Sequence, residues 1–390
     1  MNYIFTTNQK ILAIILMVIG VAAIITGFLI DPHKQWANLL ISNFYFMAIA
    51  LAGTFFVAIN YLSQAGWSVV IKRVPEAMAQ FLPYAAVFML IIFFFGGHDI
   101  YHWTHSYLYE EGTEHFDPIL AGKRSYLNSP FFVIRMVLYF LIWIGFTYLL
   151  RRESLREDLN GGLEHYNRSV KYSAVFIVLF AITSSTSAWD FLMSVEAHWF
   201  STLFGWYTFA GLFVSGLAVM VLTTIFLKRN NYLPDVNENH LHDLGKFMFG
   251  FSVFWTYLWF SQFMLIWYVN LPEEVTFYIN RINNYRVLFG ANLIINFITP
   301  LLVLMTRDAK RKMRIMTIVA IILFIGHWID YYLVVMPGVV GSHGAIGFVE
   351  IGTLLGFAGL FIFVLLNSLS KAALQPKYHP MLGESIHHHV

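Results

Sequence analysis

Ten stretches of this chain are each long and apolar enough to cross a lipid bilayer, and that property fixes the fold class. Inside hydrocarbon every backbone N–H and C=O needs a partner within the protein, so long apolar crossings are made as α-helices. A crossing takes roughly 18 or more predominantly apolar residues. Such runs occur near 11–30, 40–62, 78–97, 131–150, 171–190, 203–227, 247–268, 287–306, 315–336 and 346–368. Of the 390 residues 58% are hydrophobic and only 12% charged, and the connections leave no room for a soluble domain. The expected fold is all-α, a single integral membrane domain over 1–390 with ten transmembrane helices. The first segment has no small-residue cleavage site and is expected to stay as a spanning helix.

Charge sets the orientation. With the N-terminus and the even-numbered connections on one side, that side holds 18 of the 24 Lys and Arg, and the other holds six. The excess of bases marks the cytoplasm, so both termini are expected there. The longest outward connection, about 98–130, carries Glu110, Glu111, Glu114 and Asp117 against Lys123 and Arg124. It reads equally as a solvated connector and as a small cap or docking surface. The basic connection at 152–170 reads as topological and lipid-facing.

Ionisable residues inside the apolar segments are costly in hydrocarbon and are therefore functional candidates. They gather toward the outward side: His98 and Asp99 close the third segment, Asp190 the fifth, His327 and Asp330 lie in the ninth, and Glu350 enters the tenth. His327, Asp330 and Tyr331 share one helix face. A His beside an Asp can hold or pass a proton near neutral pH; the same pair can also pin two helices together. Glu350 has no Lys or Arg in its adjacent outward connection, which suits a proton carrier unless a partner supplies the cation. Arg135 is expected to pair with Asp99 or Asp190. His98, His102 and His105 would line one face if the third helix continued, although interfacial His residues more often simply hydrogen-bond than bind metal. The hydroxyl run Thr183 to Ser187 either bonds back to its own helix or serves a proton path. Asn292 and Asn296 share a face in the eighth segment, and Thr299–Pro300 should loosen its inner end.

The fifth segment ends Trp189-Asp190-Phe191-Leu192-Met193 and the ninth carries Trp328-Ile329-Asp330-Tyr331-Tyr332, four helices apart and in the same direction. The likeness points to two four-helix bundles, helices 2–5 (about 40–190) and 6–9 (about 203–336), with helices 1 and 10 peripheral. Chance similarity of aromatic-rich segments accounts for it equally well. There are no cysteines, which excludes disulfides, Cys-ligated iron–sulfur clusters and covalent haem attachment. Only His327 among the His residues is well inside a segment, which argues against haem ligated between helices. No lysine lies mid-helix and no nucleotide-binding loop occurs, so a retinal protein and an ATP-driven pump are also excluded.

Three stretches together resemble a known family: the Gly-Gly-His-Asp close of the third helix, the run Ser184 to Ser194, and His-Trp-Ile-Asp-Tyr-Tyr at 327–332. They are similar to the quinol-interacting membrane anchors of the polysulfide-reductase (NrfD/PsrC-like) type, and more closely to the second, shorter such subunit of bacterial alternative complex III. The likeness runs over nearly the whole length. It implies a subunit of a respiratory quinol:cytochrome c oxidoreductase in the bacterial cytoplasmic membrane, not catalytic alone. Its partners would be a related quinol-binding membrane subunit, an iron–sulfur subunit, cytochrome c subunits carrying haem c, a terminal oxidase, and membrane lipids, with no nucleic acid. It also implies a menaquinone pocket near the outer face of the first bundle, for which His98, Asp99, Arg135, Trp189 and Asp190 are the candidates. Proton transfer would fall to His98, Asp99, Asp190, His327, Asp330 and Glu350; no metal site is expected. The resemblance leaves two roles open, a quinol-binding subunit or one that keeps the bundle without the quinone. A proton-coupled secondary transporter and a purely structural anchor are the competing classes.

Overall fold

The structure, a computed structural model, describes residues 2–389. Ten helices are long and apolar enough to cross a membrane: α1 (Thr7–Ile30), α2 (Pro32–Leu62), α3 (Arg73–Ile100), α4 (Ser129–Asn160), α5 (Glu164–Phe191), α6 (Leu203–Arg229), α7 (Glu238–Val269), α8 (Arg286–Val303), α9 (Met313–His343) and α10 (Phe348–Leu369). Among the described residues there is no strand, only an isolated bridge between Asn2 and Ala373. The chain is a multi-pass membrane protein. Asn2 bridges Ala373 on one face of the helix array, here called the terminal face; the other is the far face.

Apolar runs mark what lipid requires, whereas the helices themselves run further. α2 starts at Pro32, where the Asp31 side chain accepts from the Lys34 amide at 3.1 Å. α2 and α6 are the most enclosed spans, and they form the centre. α2 touches α3, α5, α6, α9 and α10, while α4 pairs with α5, α6 with α7 and α9, and α8 with α9. Phe55 of α2 packs against Phe180 of α5 and Phe209 and Phe213 of α6 with ring centroids 4.9–5.1 Å apart. With no hydrophobic force between helices in lipid, such close packing and interhelical hydrogen bonds hold the array.

α1 leans almost wholly on α10. The two backbones meet at Gly20 and Gly356, where a Cβ on Gly20 would lie 2.2 Å from the Gly356 Cα. Gly356→Leu is therefore expected to wedge α1 off α10 and to cost about 1–3 kcal/mol, read as a lower melting temperature in detergent. An unchanged melting temperature would mean that the two helices do not pack this closely.

At the terminal face, Lys72 and Arg73 are buried, whereas Arg156 and Arg168 are exposed. Lys72 meets Glu157 at 3.4 Å and the Tyr61 hydroxyl at 2.6 Å; Arg73 meets Glu76 at 2.7 Å and also pairs with Asp158. The expected basic connection at 152–170 is largely helix, since α4 continues to Asn160 and α5 begins at Glu164. Glu153 inside it is fully buried, with His165 at 2.7 Å. The C-terminal segment ties this face together: the Ser385 hydroxyl donates to the Trp67 carbonyl at 2.7 Å, and His388 meets Asp243 at 2.6 Å.

At the far face, the connection after α3 folds into short turns and a helix, Pro118–Lys123, and lies across the turn after α5. Lys123 donates to the Ala197 carbonyl at 2.6 Å and His198 meets Asp117 at 2.5 Å. Burial works to raise the Asp117 pKa, but the Leu120 and Ile119 amides and His198 outweigh it and hold the carboxyl below its usual range. Trp103, Leu108, Leu120 and Leu127 of this connection are buried, while residues 110–115 are exposed.

Candidate functional site

The one-sided cluster read from the sequence divides into separate constellations. Asp190, one residue before the end of α5, is buried and fully engaged. Arg135 of α4 reaches it with two nitrogens, Nε to Oδ2 at 2.8 Å and Nη2 to Oδ1 at 2.9 Å, and the Tyr139 hydroxyl donates at 2.7 Å. Arg135 and Tyr139 are four apart, so one helix face presents both. The guanidinium also donates to the Tyr126 carbonyl at 3.1 Å and lies over the Tyr126 ring. Of the two acids offered to Arg135, Asp190 is the partner. Asp99 instead meets His33 at 2.7 Å, at the half-exposed end of α3.

Asp330 has the opposite environment. It is buried in α9 and accepts from the Tyr207 hydroxyl of α6, from Asn292 Nδ2 of α8 at 2.8 Å and from Trp255 Nε1 of α7 at 3.1 Å. All three donors are neutral, and among the described residues no Lys or Arg bonds it. The chain of amides continues, with Asn296 Nδ2 donating to Asn292 Oδ1 at 2.6 Å. Beside the carboxylate lies a cavity with room for about one water, lined by Tyr207, Gln262, Tyr278, Arg281, Asn292 and Asp330 among others. From it Gln262 bonds the Tyr278 hydroxyl at 3.1 Å and the partly exposed Ser201 hydroxyl at 3.2 Å, which leads toward the far face.

Local sequence explains how α8 and α9 meet here. A π-helical turn over Ile294–Ile298 interrupts α8 just before Thr299–Pro300, and the Thr299 hydroxyl donates to the Ile294 carbonyl at 3.0 Å. Asn292 and Asn296, four apart on one face, both point inward and are buried. Gly326, one turn before Asp330, lets α8 approach: a Cβ there would come within 2.3 Å of Asn296 and Ile295. Gly326→Val is expected to push α8 away, break the Asn292–Asp330 bond and cost about 1–3 kcal/mol. Full stability in that variant would remove the close approach from the account. Further along α9, Pro337 leaves the Leu333 carbonyl without its helical donor. Arg281, on the amphipathic helix Pro272–Asn284, fills that gap, with Nε on Leu333 O at 2.8 Å, Nη2 on Val334 O at 2.9 Å and Nη2 on Glu196 at 2.6 Å.

Three expectations change. His327 shares a helix face with Asp330 but does not bond it; neither ring nitrogen has a protein partner, and the ring packs edge-on to Trp255 at 5.5 Å. A buried imidazole in that state is a site for ordered water. Glu350 has a cation after all, from the turn into α2: Lys34 Nζ lies at 2.8 Å, with Asn38 at 3.2 Å and the Gly347 amide at 2.7 Å. It is an ion-paired helix cap. His102 and His105 do not extend the face of His98, because α3 ends at Ile100 and the chain turns; His98 Nδ1 bonds the Thr104 hydroxyl at 2.9 Å.

Between α3 and α4, a groove opens near the far face, lined by Phe93, Phe94, Gly97, His98, Thr104 and Val133 among others. Of the five quinone-pocket candidates only His98 lines it. Trp189 is half-buried with its indole N–H unpartnered. The hydroxyl run of α5 bonds back to its own helix: Thr183 to Leu179 O at 2.8 Å, Thr186 to Ile182 O at 2.9 Å, Ser187 to Ser184 O at 3.0 Å.

The sequence matches no known family model and no curated protein.

The signals missed in the sequence are the partners. Tyr207 and Trp255 look like ordinary aromatic core, and Lys34 looks like an interfacial base. Only the spacing of Asn292 and Asn296 pointed to the polar wall that Asp330 meets. Chemically, an acid with three neutral donors, an amide chain on one side and a water-sized cavity on the other can take up and release a proton. Asp190, held by two nitrogens of Arg135, ties α5 to α4 instead.

Proposed function

We propose that this chain is a membrane subunit of a bacterial respiratory quinol:cytochrome c oxidoreductase of the alternative complex III type, and that its own chemistry is proton transfer through Asp330. The observation that carries the proton role is that this buried carboxylate is bonded by neutral donors alone, combined with the cavity and the Tyr278–Gln262–Ser201 chain beside it. The resemblance of the segments around His98, Asp190 and Asp330 supports the respiratory assignment. In this reading α2–α5 form one bundle around Asp190 and α6–α9 a second around Asp330. The terminal face is cytoplasmic, as its excess of Lys and Arg indicates. A menaquinol head-group would sit at His98 in the groove between α3 and α4, its apolar tail toward lipid, with the imidazole accepting a quinol proton. Electrons would leave through haem c and iron–sulfur clusters on partner subunits. Asp99, Arg135, Trp189 and Asp190 have no part in that pocket, and His327 and Glu350 drop behind Asp330 as proton carriers.

A proton-coupled secondary transporter is the second reading, favoured by the broken helix α8 beside the acid. The cavity there has room for a water and not for a solute, which weighs against it.

Extraction in mild detergent separates the two. The respiratory reading expects haem c and iron–sulfur subunits in the same particle by mass spectrometry and absorption spectra. A solitary chain that drives solute uptake in proton-loaded vesicles would replace it. Orientation is open to direct labelling because the chain has no cysteine of its own. A Ser106→Cys variant should react from outside the cell and an Asn230→Cys variant should not, both positions being exposed.

A further inference from the structure

We propose that the terminal face holds a binding site for an anionic phospholipid, formed where α6 and α9 meet the membrane surface. Two features make it. The first is an open cleft in which the bases Arg229, Arg311, Lys312 and Arg314 meet only two acids, Glu238 and Asp308. Arg311 already donates to Asn239 at 2.8 Å, whereas Arg229, Lys312 and Arg314 are exposed at its rim. The second is an apolar groove running between α1, α2, α6, α9 and α10, with carbon-rich walls that include Leu222, Phe226, Phe324 and Leu365.

The same helix faces lead from one to the other. On α6, Phe226 of the groove and Arg229 of the cleft are three residues apart. On α9, Met313 of the cleft and Phe324 of the groove are separated by about three turns, which returns them to one face. A phosphodiester at Arg229, Lys312 and Arg314 thus has a carbon-lined groove beneath it, directed into the membrane. Basic pockets between transmembrane helices suit anionic head-groups, whereas a free phosphate would use the cations and leave the groove empty. A zwitterionic head-group cancels the attraction with its own ammonium. The occupant that satisfies both halves is a lipid with a net negative head-group, such as phosphatidylglycerol.

The full-length chain, purified and stripped of lipid, tests this by binding in detergent to dioleoyl-phosphatidylglycerol, dioleoyl-phosphatidylcholine and inorganic phosphate. Phosphatidylglycerol should bind at least about tenfold more tightly than phosphatidylcholine, and the Arg229→Gln, Lys312→Gln, Arg314→Gln triple variant should lose that preference. Leu222→Trp, which fills the groove without altering charge, should weaken phosphatidylglycerol and leave phosphate unaffected. Melting temperatures in phosphatidylcholine serve as the folding control. Equal affinity for the two lipids, an undiminished preference in the triple variant, or full competition by inorganic phosphate would each overturn the proposal.

Discussion

Asp330→Asn is expected to lower quinol-dependent turnover by roughly a hundredfold, the range lost with a positioned proton-transfer group, while the chain still assembles with its partners. Geometry gives the reason for both halves. In the wild type, Oδ1 accepts from Tyr207 and Asn292 and Oδ2 accepts from Trp255. An asparagine keeps one oxygen for the first two donors, but it turns its amide toward the Trp255 N–H, two donors facing each other. That conflict costs about 1–3 kcal/mol, enough to lower the melting temperature but not to unfold a ten-helix array. What the amide cannot do is ionise, so any proton that passes through this position stops. Turnover within about twofold of wild type, in particles with normal subunit content, would remove Asp330 from the mechanism. Tyr207→Phe makes a graded companion: it deletes one donor, leaves the acid titratable, and is expected to shift the pH profile of turnover more than its maximum.

How far the sequence carried these conclusions depends on what each residue's partners are. The ten spans are legible because lipid imposes one rule on every crossing, and that rule is local. The ends of α2 and α4 escape it, since polar residues there such as Gln35, Asn38, Glu153 and Glu157 are buried against protein, where hydropathy carries no information. Asp330 and Asp190 were both identified from their cost in hydrocarbon, yet nothing local distinguishes them. The difference lies in Arg135, which is 55 positions from Asp190, and in Tyr207, Asn292 and Trp255, which come to Asp330 from three other helices. Glu350 shows the same limit from the other side. Its cation, Lys34, is 316 residues away and arrives only because α1, α2 and α10 meet at the far face. The His327–Asp330 pair failed because a shared helix face brings side chains near without deciding which way each points. His327 turns to Trp255, and Asp330 turns to donors on three neighbouring helices.

Breaking the other acid's ion pair should act on folding rather than on proton transfer. Arg135→Leu leaves the Asp190 carboxylate buried with Tyr139 as its remaining donor. Loss of one partner of a buried pair costs about 3–5 kcal/mol, so this variant is expected to be poorly retained in the membrane and to melt well below the wild type. Asp190→Asn strands the guanidinium in the same way, eased by the Tyr126 carbonyl and the Tyr126 and Phe131 rings that already surround it. Removing both charges is the informative step. An Arg135→Leu, Asp190→Leu double variant has no stranded charge, and replacing a buried pair by apolar groups is often neutral or better. It should regain most of the lost stability, short of about 1–3 kcal/mol for the Tyr139 hydroxyl that loses its acceptor. Adding Tyr139→Phe should recover part of that remainder. If Asp190 only holds α4 to α5, turnover per assembled particle returns with stability in the double variant. If stability returns and turnover does not, Asp190 carries protons despite its arginine, and the division of labour between the two acids is wrong.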